Sequence, residues 1–290
     1  MTETASDIWA IDAVAALWTE EANRYRPPEL RSFFVDKLGV TAETYGGISL
    51  SEMLRRMDAA RIEKAFLIAA RSGSATDRYS FHIPCKVVAD AVRRHPDRFH
   101  GLVGIDPTQG MVGVRELERA VNDLGFIGAH FYPHWFELPP DHARVYPFYA
   151  KCVELDVPIQ MQVGQSHLYL PDVPLRSVGR PVALDAVACD FPELKLIGIH
   201  IGVPWTDEMI AMAWKHPNVF IGADAHSPKY WPPQFVHYLN SYGQDKVIFG
   251  TDFPVLDFER TRREIDALEL KPQVLEKLLR NNASRVYGLA

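Results

Sequence analysis

The chain alternates short apolar runs with longer segments in which apolar residues recur every three or four positions. The short runs are rich in β-branched and aromatic residues, as buried strands are, and the longer segments have the spacing of amphipathic helices. Such an alternation predicts parallel strands joined by helical crossovers. The predicted strands are residues 8–14, 64–70, 99–105, 126–132, 158–163, 194–200, 218–224 and 246–251, and the predicted helices include 82–95, 112–124, 181–190, 205–215 and 272–287.

Several strands begin in the same way: a helix ends, Pro, Gly or Asn follows, and an apolar run starts, as in "HPDRFHGLVGID" and "FPELKLIGIH". Eight such units favour an α/β fold of the closed (β/α)8 TIM-barrel type, and no G-x-G-x-x-G follows the first strand to favour a dinucleotide fold. We therefore predict a single domain over residues 1–290. The stretch from about 15 to 50 is too long for an ordinary connection, so we expect a lid-like insertion after strand 1.

Composition narrows the possible partners. A net charge of −6 gives no reason to expect nucleic acid, which calls for a clustered basic surface. Three widely separated cysteines, Cys85, Cys152 and Cys189, suggest neither a disulfide framework nor a thiolate metal site. Because the first residues carry acids and the apolar runs are only strand-sized, we expect neither a signal peptide nor a membrane span, and hence a cytoplasmic protein.

Polar residues stand where the predicted strands end, which is where a barrel of this class places its active site. His200 and Asp252 each follow a fully apolar run, and burying such groups is costly without a partner or a purpose. Asp106 precedes a proline and is equally expected of a turn. The full set is Asp12, Arg71, Asp106, His130, Gln162, His200, Asp224 and Asp252.

Five stretches, in this order, carry a family resemblance: "LGFIGAHFYP", "VYPFYAKCVELDVPIQMQVG", "FPELKLIGIHIGVPWTDEMIAMAWKHPNVFIGADA", "KVIFGTDFPV" and "LLRNNASRVYGL". Together they resemble the amidohydrolase-2 family of the amidohydrolase superfamily, which includes aminocarboxymuconate-semialdehyde decarboxylase, resorcylate decarboxylases, and hydrolases and hydratases of small acids. The resemblance implies that Asp252 lies beside a divalent metal and that His200 donates or accepts a proton. It also implies a homodimer or a larger homo-oligomer.

The departures from the family pattern concern the metal. Family members begin with D-x-H-x-H, whereas "IDAVAALW" places Val14 and Ala16 at the two histidine positions, and Gln162 replaces a strand-five histidine. Since an amide oxygen is a poor zinc ligand, we expect the inherited metal site to be lost and the protein to need no cofactor. One alternative stays open, a divalent metal such as zinc with relocated ligands, for which the candidate donors are His130, His200, Asp224, His226 and Asp252.

Without a metal, His200 and Asp252 are the predicted catalytic pair, which would activate water by acid–base chemistry. The resulting hypothesis is a cofactor-independent hydrolase of a small activated organic acid, ester or lactone. A first alternative is a decarboxylase of a small aromatic or unsaturated acid, with no metal or a relocated one. A second is a non-catalytic protein that binds a small ligand or acts as a partner subunit.

The substrate is predicted to be small, planar and anionic. Arginine forks grip carboxylates through two hydrogen bonds, amide and imidazole groups can hydrogen-bond a developing oxyanion, and aromatic side chains can stack on a flat ring. The predicted substrate-binding residues are Arg71, His130, Tyr132, Gln162, Arg176, Arg180, Trp205, Asp224 and His226.

Overall fold

The structure is a computed structural model that describes residues 8–74 and 76–289; residues 1–7, 75 and 290 of the predicted domain lie outside the described residues. Eight parallel strands in the described part pair in chain order and form a TIM barrel, which confirms the predicted architecture. The strands are β1 Ala10–Ala16, β2 Ile62–Ala69, β3 Phe99–Gly104, β4 Gly128–Phe131, β5 Ile159–Gln162, β6 Leu196–Ile199, β7 Val219–Ala223 and β8 Val247–Phe249.

The barrel closes where β1 meets the chain that leaves β8. Ala15 and Phe253 form a parallel bridge, and the Asp252 amide donates to the Val14 carbonyl at 2.8 Å. Closure therefore depends on residues just beyond β8 rather than on a full ladder. As a consequence, Asp252 is fixed directly at the barrel mouth.

Asp12 strengthens this closure from inside the barrel. Its Oδ1 accepts from the Val14 amide at 3.1 Å and from the Thr251 amide at 3.0 Å, and its Oδ2 accepts from the Thr251 hydroxyl. The bond within β1 coincides with an irregular register between Asp12 and Ala15. One buried carboxylate thus joins the first strand to the residue that precedes Asp252.

Helices cover the outside of the barrel and begin and end on recognisable residues. Asp257 accepts the Arg260 amide at the start of one helix, and Gly125, with a left-handed φ of 69°, ends another. No helix in the described part is long and apolar enough to cross a membrane. The longer helices are Leu50–Ala59, Cys85–Arg94, Met111–Leu124, Tyr146–Glu154, Leu184–Asp190, Thr206–Lys215, Pro233–Leu239 and Phe258–Asp266; the shorter are Glu20–Asn23, Ala42–Gly46, Pro133–Phe136, Pro272–Glu276 and Asn282–Tyr287.

Residues 17–49, between β1 and the helix that starts at Leu50, form a segment with its own apolar contacts. The Phe34 ring lies 4.8 Å from that of Trp18 and 6.1 Å from that of Tyr45. Leu30 of this segment packs against Leu168 of the loop that follows β5. The segment is therefore held against a loop at the carboxyl ends of the strands.

Candidate active site

A cavity of about 150 Å³ lies at the carboxyl ends of the strands, where barrels of this kind carry their sites. Three groups of residues line it. Strand ends contribute Gln162, His200 and Asp252; loops contribute Tyr132, Trp135, His167 and His226; and residues 17–49 contribute Trp18, Arg26, Leu30, Phe33 and Phe34. Its walls are thus largely apolar and aromatic, with a few polar groups facing inward.

Three acid–base side chains meet at one side of this cavity. His200 Nε2 lies 3.3 Å from Asp224 Oδ2 and 3.6 Å from Asp252 Oδ2. Both His200 Nε2 and Asp224 Oδ2 are buried and form no hydrogen bond with a described residue. The three side chains come from the ends of β6, β7 and β8, so neighbouring strands bring together residues that are far apart in sequence.

The backbone at these strand ends adopts an uncommon conformation. His200, Ile201 and Asp252 have φ values of 69°, 58° and 55°, in the left-handed region that non-glycine residues seldom occupy. The His200 amide donates to Asp224 Oδ1 at 2.8 Å, which holds this turn in place. Such strain tends to occur at functional sites, where the surrounding fold enforces it.

Burial governs the charge state of the cluster. Desolvation, and next the neighbouring Asp252 carboxylate, raises the pKa of Asp224 well above its usual value. Desolvation, followed by repulsion from Asp12, likewise raises the pKa of Asp252. Desolvation lowers the pKa of His200 well below 6.5. The buried cluster therefore favours neutral over charged forms in the absence of a counter-ion.

Asp12 lies beneath this cluster and further raises the pKa values of Asp224 and Asp252. Desolvation raises the pKa of Asp12 to about 7, against the lowering effect of its hydrogen bonds with Thr251. The fully buried carboxyl groups of Asp12 and Asp224 and the partly exposed one of Asp252 are thus close enough to shift one another's pKa.

His130 belongs to a separate buried hydrogen-bond chain. The Tyr287 hydroxyl donates to Gln160 Oε1 at 3.0 Å, and Gln160 Nε2 donates to His130 Nδ1 at 3.1 Å. This arrangement leaves the proton of a neutral imidazole on Nε2, which has no hydrogen-bond partner among the described residues. Desolvation lowers the pKa of His130 to about 3, so the ring is neutral at pH 7.

Arg26 is a cavity residue that the sequence did not single out. Its guanidinium stacks on Trp18, with the central carbon 3.9 Å from the ring centroid, and donates to Asn23 Oδ1 at 2.7 Å and the Leu17 carbonyl at 3.1 Å. Within the described residues it has no carboxylate partner. Burial lowers the pKa of Arg26 to about 9, so its charge persists at pH 7. A partly buried cation without a carboxylate partner favours binding of an anion.

Several predicted substrate-binding residues face the same space. Tyr132, Gln162 and His226 line the cavity. The Gln162 amide makes no hydrogen bond with a described side chain or backbone group, so it is available to a ligand. Asp224 lies behind His200, and the His130 ring contacts that of Tyr132 at 4.2 Å, in the layer below.

Four other predicted residues lie away from the cavity lining. Arg71 binds Glu116, Arg176 binds Glu137 at 2.7 Å, and Arg180 binds Glu208 and lies over the ring of Trp205. These arginines meet carboxylates of the chain itself instead of a ligand. The structure gives no geometric support for a substrate contact by these arginines or by Trp205.

The positions expected to hold a metal in this family do not fit one here. Val14 is buried in the core, Ala16 presents only a methyl group, and Gln162 offers only an amide. The cluster of His200, Asp224 and Asp252 does fit, because it presents one imidazole nitrogen and two carboxylate oxygens that all lie within 4.8 Å of one another. Two of the buried atoms that lack a hydrogen-bond partner among the described residues, His200 Nε2 and Asp224 Oδ2, belong to this group.

Comparison with known proteins identifies the family. The chain matches the amidohydrolase family over residues 11–289 and belongs to it, specifically to the amidohydrolase-2 group that the sequence resembles. It is 29% identical over 243 residues, 69% of each chain, to a 2-keto-4-carboxy-3-hexenedioate hydratase of Sphingobium sp.. It is 23% identical over 254 residues, 70% of this chain and 74% of the other, to a gamma-resorcylate decarboxylase of Rhodococcus jostii.

Solved structures share the barrel. A TIM-barrel protein of Bordetella bronchiseptica superposes with a TM-score of 0.76 at 26% identity and covers 97% of this chain and 98% of its own. The 5-carboxyvanillate decarboxylase of Novosphingobium aromaticivorans, a complex with manganese, gives 0.74 at 19% identity over 99% and 98%.

These relatives overturn the hydrolase hypothesis. The named enzymes are decarboxylases and a hydratase, which are lyases, and none of them supports metal-independent hydrolysis of an ester or lactone. The error came from treating the missing strand-one and strand-five ligands as evidence for water activation by His200 and Asp252 alone. The alternative of a decarboxylase fits the comparisons better.

Proposed function

We propose that the protein is a lyase that removes CO2 from a small aromatic carboxylic acid. The observation that carries the proposal is one cavity that is lined both by Arg26, which has no carboxylate partner among the described residues, and by the acid–base pair His200 and Asp252. A cavity of about 150 Å³ can hold a single benzene-sized ring. The gamma-resorcylate and 5-carboxyvanillate decarboxylases are named for aromatic acids with a single ring, which supports the same substrate class.

The chain's residues have distinct roles in this proposal. Aromatic walls from Trp18, Phe34 and Tyr132 bind the ring and keep water out. Arg26 binds an anionic group of the acid through its guanidinium. Gln162 can donate a hydrogen bond to an oxygen of the substrate.

Decarboxylation leaves the electron pair of the broken carbon–carbon bond on the ring carbon, which must receive one proton as CO2 departs. Asp252 and His200 line the cavity and are the groups placed to deliver that proton. Asp224 holds the His200 backbone and so positions the imidazole. A divalent cation held by His200, Asp224 and Asp252 would supply positive charge to the substrate's oxygens. With His200 Nε2 bound to the cation, that nitrogen would carry no proton, and Asp252 would be the group that delivers it.

Residues 17–49 act as a lid in this proposal. They contribute Arg26 and much of the aromatic wall, and Lys37 Nζ donates to the His167 carbonyl at 2.6 Å, which ties the segment to the loop after β5. Opening this contact would admit substrate, and closing it would exclude water. A homodimer or larger assembly remains a prediction from the family resemblance.

The test uses 2,6-dihydroxybenzoate and 5-carboxyvanillate as probes. Incubation in D2O should release CO2 and yield a ring with one deuterium at the carbon that carried the carboxylate, detected by NMR. Asp252→Asn and His200→Asn should abolish release while circular dichroism shows folded protein. Absence of CO2 release from these acids and from a wider panel of hydroxybenzoates would refute the proposal.

A hydratase is the second candidate, because the 29% identical relative is named for that reaction. The same acid–base pair would then move a proton to an alkene carbon while water adds at its neighbour. With 2-keto-4-carboxy-3-hexenedioate as probe, this activity would appear as loss of the alkene signals by NMR without release of CO2. The two assays on one preparation therefore separate the two lyases.

A further inference from the structure

We infer that the protein binds one divalent transition-metal ion through His200, Asp224 and Asp252, a ligand set from strands β6, β7 and β8. This set differs from the histidine positions on strands one and five, where Val14, Ala16 and Gln162 now stand. The catalytic use of the ion rests on the proposed function, whereas its binding does not.

The distances support coordination rather than hydrogen bonding. His200 Nε2 lies 3.3 and 3.6 Å from the two carboxylate oxygens, yet it hydrogen-bonds to neither. Two ligand atoms bound at about 2.1 Å to one tetrahedral ion lie about 3.4 Å apart. The observed separations therefore match the edges of a coordination polyhedron.

Burial provides a second, independent reason. Asp224 is 0% exposed, and its Oδ1 is occupied by the His200 amide while its Oδ2 points into the cluster without a partner. A buried polar atom left unpaired is costly, and unpaired atoms of this kind often mark an ion that is part of the native protein. Within the described residues, the cluster has no lysine or arginine in ion-pair contact, so a cation would balance its carboxylates.

The other grouping of possible ligands is a useful control. Asp185, Cys189 and His216 also come within 4.8 Å of one another. There, however, Asp185 Oδ1 already binds Lys215 Nζ and His216 Nε2, each at 2.6 Å. A metal at that position would have to displace existing ion pairs, so Asp185→Asn is the matched variant that removes a carboxylate without touching the proposed site.

The experiment titrates Mn2+ into full-length protein that has been treated with a chelator and dialysed. The electron paramagnetic resonance signal of free Mn2+ reports binding, and thermal unfolding reports stabilisation, both without substrate. We expect one ion per chain, a rise in Tm of about 5 °C at saturation, and affinity at least about 100-fold weaker in Asp224→Asn. Asp185→Asn should bind as the wild type does.

Three outcomes would overturn the inference: no binding by the wild type at millimolar Mn2+, full affinity in Asp224→Asn, or loss of binding in Asp185→Asn. If the proposed function is wrong but the metal inference is right, the protein will bind Mn2+ and will release no CO2 from any aromatic acid. CO2 release by the chelator-treated protein, with no Mn2+ bound, would support the lyase and reject a catalytic role for the metal, while the Mn2+ titration would still decide whether the metal binds. A folded Asp224→Asn variant is expected, since the amide oxygen of asparagine can still accept from the His200 amide.

Discussion

Replacing His130 by glutamine should reduce the acid sensitivity of the fold. His130 is 1% exposed, and burial lowers its pKa to about 3, against about 6.5 for a solvated histidine. Because the folded pKa is the lower one, the unfolded chain binds a proton that the folded chain refuses, and stability is lost as pH falls below 6.5. Each pH unit in that window changes the free energy of unfolding by about 1.4 kcal/mol.

The expected magnitude between pH 7 and pH 5 is about 2 kcal/mol for this residue. The assay is urea unfolding of the wild type and of His130→Gln at both pH values, with the difference between the two proteins compared across pH. A glutamine oxygen can accept from Gln160 Nε2 in place of Nδ1, and any constant cost of the substitution cancels in this comparison.

The matched control is His237→Gln on the helix Pro233–Leu239, where the side chain is exposed and is solvated in both states. Its pH dependence should follow that of the wild type. If the wild type and His130→Gln lose the same free energy between pH 7 and pH 5, the imidazole accepts a proton inside the fold, and the argument from burial is wrong.

Three further substitutions test the site and its support. Arg26→Met should raise KM for the aromatic acid by about 100-fold in steady-state kinetics, with partial recovery in Arg26→Lys, because the ion pair with the substrate's anionic group is lost. An unchanged KM would show that Arg26 does not contact the substrate. Gly164→Ala should destabilise the protein by about 3 kcal/mol in urea unfolding. The reason is that Gly164 has a φ of 97° and that the new methyl group would clash with the Val203 carbonyl. Near-native stability would exclude that clash. Asp106→Ala should lower the free energy of unfolding by about 2 kcal/mol in the same assay. The reason is that the Asp106 carboxylate accepts hydrogen bonds from Thr108 and Gln109. A loss below about 0.5 kcal/mol would mean that those donors hydrogen-bond to water in the variant.

The barrel was predictable because each strand is a local pattern. The predicted and observed strands overlap at all eight places, since buried parallel strands are continuous apolar runs. The boundary error with the greatest effect on the site concerns β1, which was predicted at residues 8–14 and lies at Ala10–Ala16. That shift places Asp12 in the middle of the strand, under the site, and not at its end.

The ligand contacts were less predictable because they depend on distances between distant segments. The sequence shows that Arg71, Arg176 and Arg180 can grip a carboxylate, but not that Glu116, Glu137 and Glu208 already supply one. Arg26 is the opposite case, because it lines the cavity although nothing in the sequence singled it out. It stands in the mixed stretch "EEANRYRPPEL", where no local pattern separates a solvated arginine from one stacked on Trp18.

Packing explains why the strand-one metal ligand cannot simply return. Val14 is 1% exposed, and a methyl group added at Gly250 would lie 3.0 Å from its Cβ, so the position is now part of the contact between β1 and β8. An imidazole there would be too large for the space, since overpacked cores force their neighbours to move. The same Gly250 allows Asp224 to approach, because the added methyl would also lie 3.0 Å from the Asp224 Cβ. A side chain at Gly250 would therefore disturb both the contact between β1 and the end of β8 and the carboxylate at the end of β7 that the proposed ligand set uses.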